Sequence, residues 1–101
     1  MTFRPPRLAG RIQQQPSPLE VEVLGEMAAA LAASGRRVEA ALAGLAATPR
    51  EDADRPHLLK AAAAAVYAYF IQRELCGLRD HRPVIDHYEI PAEVLARLGA
   101  C

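Results

Sequence analysis

The densest run of chemically capable side chains is Gln72-Arg73-Glu74-Leu75-Cys76-Gly77-Leu78-Arg79-Asp80-His81. At about 100° per residue from Leu59, Arg73 and Asp80 fall within the arc that holds Val66, Tyr69 and Phe70. Glu74 sits at its margin. A charge on a core-facing arc is costly unless it is paired and hydrogen-bonded. The pattern therefore predicts an acidic partner for Arg73, with Asp80, Glu22 and Glu26 as candidates. Two outcomes are open: an ion pair that sets helix register, or a pocket in which Tyr69, Arg73, Glu74 and Asp80 bind a small anion. An enzyme or ligand-binding bundle would be centred on those four residues.

Other chemistry finds less support. Cys76, Asp80, His81, Asp86 and His87 are close in sequence, but their spacings match no usual metal-ligand pattern. No serine or cysteine has the neighbourhood of a catalytic nucleophile, and there is no glycine-rich phosphate loop. The reading therefore assigns no catalytic residue, metal or cofactor. Two thiols, Cys76 and the final Cys101, do not make a disulfide framework.

These side chains need elements to position them, and the sequence marks several. Ser17-Pro18-Leu19-Glu20 is a capping box with proline at the first helical position. An apolar line then runs Leu24, Met27, Leu31, Val38, Leu42, Leu45, and Thr48-Pro49 stops it. Opposite that line stand Ala29, Ala33, Ala40, Ala43 and Ala47. Gly25, Gly35 and Gly44 interrupt the helix, which argues for close packing or local bends, since each costs about 1 kcal/mol relative to alanine. After the polar stretch 48–56, with Asp52 or Asp54 as cap, a second helix carries Leu59, Ala63, Val66, Phe70 and Gly77 on one line. Pro83 and Pro91 each open a short helical segment, the latter ending at Gly99. No alternation of β-branched residues suggests a strand.

Composition narrows the function classes. The chain has 101 residues, enough for one domain. Residues 1–16 read as a flexible basic arm with Arg4, Arg7 and Arg11 and no acid; its Phe3, Leu8 and Ile12 are suited to docking on a neighbouring subunit or partner. Residues 17–101 read as one helical domain. Twelve basic residues balance twelve acidic ones, so no overall field points to nucleic acid or an anionic membrane. There is no secretory leader pattern and no apolar run of membrane-spanning length, which places the protein in the cytoplasm. Eleven arginines against Lys60 alone, with 21 alanines, suggest a GC-rich bacterial genome.

The stretch Tyr69-Phe-Ile-Gln-Arg-Glu-Leu-Cys-Gly-Leu-Arg-Asp-His81, with Ile85, Tyr88 and Ile90-Pro-Ala-Glu-Val-Leu-Ala-Arg-Leu-Gly99, resembles a family of short helical alphaproteobacterial proteins of unknown function. The Phe3-Arg-Pro-Pro-Arg7 opening is similar to that family too. The family has no assigned activity, so the resemblance implies no site residues. A second likeness is local: His57-Leu58-Leu59-Lys60 with the alanines after it resembles the phospho-accepting segment of histidine phosphotransfer domains. It implies His57 as acceptor, with Lys60 steadying the phosphate one turn on. Ala61 stands where those domains have glycine, there is no later glycine near Tyr67, and Pro56 puts His57 in the first turn rather than mid-helix.

The expectation is an all-α protein: an antiparallel helical hairpin of residues 17–47 and 55–78, with short C-terminal helices across it. Two long helices cannot bury both an aliphatic stripe and an alanine face alone, so the hairpin is expected to assemble into a homo-oligomeric bundle, a dimer at least. The leading functional expectation is a non-enzymatic interaction or structural protein. Its partner surface would be the alanine-rich face or the arm.

Overall fold

Ser17 starts the first helix as the capping box requires. Its backbone N–H donates to Glu20 Oε1 at 2.7 Å, while the Glu20 N–H donates to Ser17 Oγ at 3.1 Å. A computed structural model of the chain describes residues 15–98. They form α1 (Pro18–Ala46), α2 (Arg55–Leu75) and two short helices, α3 (Arg82–His87) and α4 (Ala92–Leu95). The fold is all-α, with no strand among the described residues. Expectations for the arm, for Gly99 as a helix stop and for Cys101 fall outside them, apart from Gln15 and Pro16.

Between α1 and α2 the Thr48 hydroxyl donates back to the Gly44 carbonyl at 2.8 Å, a common way to close a helix end. Of the two candidate caps for α2, Asp54 takes the cap position but its side chain bonds no helix amide. The Asp52 carboxylate instead accepts the Asp54 N–H at 2.8 Å, an Asx turn that shapes the loop. The helix ends at Leu75, three residues short of the expected end at 78. Gly77, at φ +86°, takes the left-handed position of a Schellman motif: Leu78 N–H donates to the Arg73 carbonyl and Gly77 N–H to that of Glu74. The same pattern ends α3, with Ile90 bonding Ile85 and Glu89 bonding Asp86, but here Glu89 holds the left-handed position at φ +50°. A side chain with a β-carbon is strained there.

The core gathers Val38 and Leu45 of α1, Leu59, Ala62, Ala63, Val66, Tyr69 and Phe70 of α2, and Val84, Ile90 and Val94 of the C-terminal segment. Residues 81–98 therefore complete the core of α1 and α2. The alanines buried in the core are Ala62 and Ala63, with Ala41 and Ala65 half-buried against it. On α1, Ala29, Ala40, Ala43 and Ala47 are exposed and Ala33 is half-buried. No described helix is long and apolar enough to cross a membrane.

Only one of the three helical glycines in α1 serves close packing. A β-carbon at Gly35 would stand 2.9 Å from the Tyr88 hydroxyl and 3.5 Å from Tyr69 Cε1. At Gly25 and Gly44 it would meet nothing within 4 Å. The physical consequence is a difference in sign. Gly35→Ala should destabilise the fold by about 1–3 kcal/mol through overpacking. Gly25→Ala and Gly44→Ala should each stabilise it by about 0.5–1 kcal/mol through lower backbone entropy in the unfolded chain. Urea unfolding of the three variants would show both signs; equal effects at all three positions would contradict this packing.

Candidate functional site

The polar cluster forms where α2 ends. Arg73 and Glu74 lie in its last turn, and the reversal at Gly77 returns the chain so that His81 stacks flat on Phe70, with ring centroids 4.1 Å apart and planes at 3°. The His81 side chain is 15% exposed. Arg73 Nε donates to His81 Nδ1 at 3.1 Å, and Arg73 Nη2 donates to the Asp80 backbone carbonyl at 2.8 Å. On the other side of the ring, His81 Nε2 lies 2.9 Å from Glu74 Oε2.

This geometry sets the imidazole's proton. A guanidinium only donates, so Nδ1 must accept and carries no hydrogen. The ring N–H is then on Nε2 and donates to the Glu74 carboxylate. Protonating both nitrogens would place two donors face to face at 3.1 Å. The His81–Glu74 contact is thus a hydrogen bond donated by Nε2 to Glu74 Oε2.

The expected acidic partner of Arg73 is absent from its hydrogen bonds. Its acceptors are an imidazole nitrogen and a backbone oxygen, and Glu74 is reached only through the histidine. Asp80 was assigned to the core arc by helical counting, but α2 ends before it and it lies exposed. Its carboxylate takes Arg82: Oδ1 accepts from Arg82 Nε at 3.0 Å and from the Arg82 N–H at 3.1 Å, and Oδ2 from Nη2 at 3.1 Å. These bonds hold the Asp80 carboxyl below its ordinary range.

Tyr69 faces away from this cluster, toward α1. It packs edge-on to Tyr88 with centroids 5.9 Å apart, beside Gly35. Burial, together with the neighbouring Tyr69, pushes the Tyr88 hydroxyl's pKa up. The structure therefore joins Arg73 and Glu74 through His81, and directs Asp80 and Tyr69 elsewhere. What the arrangement does is clamp residues 80–81 onto the end of α2. His57 is the third residue of α2, exposed, with the exposed Lys60 one turn on. Among the described residues no three His, Cys, Asp or Glu side chains are grouped to hold a metal ion.

A second clamp lies at the other end of α2 and was missed by sequence reasoning. Arg55, its first residue, forks onto Glu93 of α4: Nη1 donates to Oε1 at 3.0 Å and Nη2 to Oε2 at 2.6 Å. Arg50 approaches the same carboxylate at 3.7 Å. The Arg55 side chain is 13% exposed, and its Nε is buried without a partner among the described residues. A separation of 38 residues leaves no local signal for such a pair. The bond to Arg55 depresses the Glu93 carboxyl's pKa against the opposing effect of burial, and Arg50 and Arg97 add to it.

A depressed carboxylate contributes stability above its unfolded-state pKa and loses it as pH falls through the folded one. Glu93→Gln should therefore be less stable than the wild type at neutral pH. The gap should close in acid, once both side chains are neutral; thermal melts across pH test this, and a gap independent of pH would refute it. For the first clamp, 15N spectra of the His81 ring, recorded above the ordinary imidazole range, should show Nδ1 unprotonated and Nε2 protonated. The opposite tautomer would contradict the Arg73 contact.

Comparison with known proteins adds a single finding. No curated protein and no solved structure matches the chain. The model of a family of unknown function, DUF6665, matches residues 9–101, and the chain belongs to that family.

Proposed function

We propose that this chain is a non-enzymatic interaction protein, an antiparallel hairpin of α1 and α2 that assembles into a homodimer through bare helix faces. The observation that carries this reading is the first half of α1. Leu24 and Met27 continue the apolar line whose later members, Val38 and Leu45, are buried in the core. Yet Leu19, Val21, Val23 and Leu24 are 68, 53, 46 and 58% exposed. Fully burying one such side chain is worth about 1.5–3 kcal/mol.

An unsupported helix of about 13 residues is marginal in water, so this stretch gains most from being covered. A second bare stripe, Tyr67, Ile71 and Leu75, lies at i, i+4, i+8 on α2 and adds to the surface available. These leucines, valines and aromatic groups, rather than the exposed alanines, would supply the association energy. The alternative of a small-anion pocket at Tyr69, Arg73, Glu74 and Asp80 has less support, because Arg73 and Glu74 already bond His81, the Asp80 carboxylate bonds Arg82, and Tyr69 packs on Tyr88.

Light scattering over a range of concentrations should give twice the 10.9 kDa chain mass. Leu24→Asp should weaken self-association about tenfold or more while leaving the helix content intact, because Leu24 lies outside the core. A monomer at every concentration would overturn the proposal.

A further inference from the structure

Charge along this chain is balanced except in two adjacent blocks. Residues 1–16 carry three arginines, Arg4, Arg7 and Arg11, and no acid. Residues 17–35 carry three glutamates, Glu20, Glu22 and Glu26, and no base. From residue 36 onward nine basic residues meet nine acidic ones. The acidic block coincides with the bare half of α1, where Leu19, Val21, Val23 and Leu24 are exposed. The basic block interleaves its arginines with Phe3, Leu8 and Ile12. Each block thus offers what the other lacks, apolar groups with charges of opposite sign.

We infer that the basic segment 1–14 of one copy lies along the acidic, apolar first half of α1 of a second copy, so that two chains exchange arms and close the dimer. This rests on the dimer reading above and names what covers the bare helix. Two acidic helix halves brought together without such a cover would repel, since each carries three glutamates and no cation. Fourteen residues reach up to about 46 Å when extended. The bare stretch, residues 18–30, is about 20 Å long.

The junction favours exchange over folding back. Ser17 is extended at φ −68° and ψ 160°, and prolines stand on both sides of it. A residue before proline is held out of the helical region, so Gln15 and Ser17 lead into the helix tip without a tight reversal.

Paired charge reversals test this in the full-length chain. Arg7→Glu with Arg11→Glu makes the arm acidic; Glu22→Lys with Glu26→Lys makes the helix half basic. Glu22 and Glu26 are exposed and lie outside the capping box, and circular dichroism would verify that both variants keep their helices. Each variant alone should self-associate about tenfold more weakly than the wild type. An equimolar mixture should recover dimers, because in the mixed pair every acidic segment faces a basic one. If both variants dimerise like the wild type, the arm exchange is wrong and the dimer reading stands. If both weaken and mixing recovers nothing, the arm acts on its own chain and exchange is wrong. A monomeric wild type overturns the dimer reading and the exchange together.

Discussion

The close approach of α1 to α2 at Ser34–Gly35 is the contact on which the rest of the packing depends. Both residues are small and buried, and the space left by the missing side chain at Gly35 is filled by the Tyr88 hydroxyl and the edge of Tyr69. Tyr88 belongs to the segment that follows α3, so this one gap brings three parts of the chain together. A helix partner cannot come this near a surface of long side chains, and the glycine's entropic cost in the helix is offset by that contact.

The C-terminal segment is then held at both ends of α2 by different chemistry. At one end His81 is stacked on Phe70 and bonded by Arg73 and Glu74. At the other, Glu93 takes the Arg55 fork. Between these clamps Val84, Ile90 and Val94 enter the core. Helices of six and four residues have little stability of their own, so tertiary contacts must supply it. Arg73 and Glu74, candidates for an anion pocket by sequence, thereby bond the histidine at the start of a short, weakly helical segment.

This division leaves α1 unequal along its length. Its second half is shared with α2 and the C-terminal segment; its first half is capped and helical yet bare. The bare half carries the acidic block and adjoins the basic one. The core lies against one half of the helix, and the exposed leucines and valines lie on the other.

Much of the architecture was legible in residue types alone. The capping box at Ser17 and the stop after Ala46 are local rules of backbone geometry, readable without knowing what packs where; Gly77 was counted inside the second helix, whereas its left-handed backbone ends it. The apolar spacing likewise identified Val38, Leu45, Leu59, Val66 and Phe70 for the core, because helical periodicity is a property of the chain itself. Hydrogen-bond partners were not legible. Helical counting carried Asp80 into the core because it assumed that α2 continued, and it offered Arg73 a carboxylate where the fold supplied a histidine nitrogen and a carbonyl. Arg55 and Glu93 stand 38 residues apart, and which of three glycines needs to be glycine depends on what arrives from across the fold. Local sequence determines where helices begin, end and turn an apolar side; only the three-dimensional packing decides which distant groups meet, because no single segment encodes the distance between them.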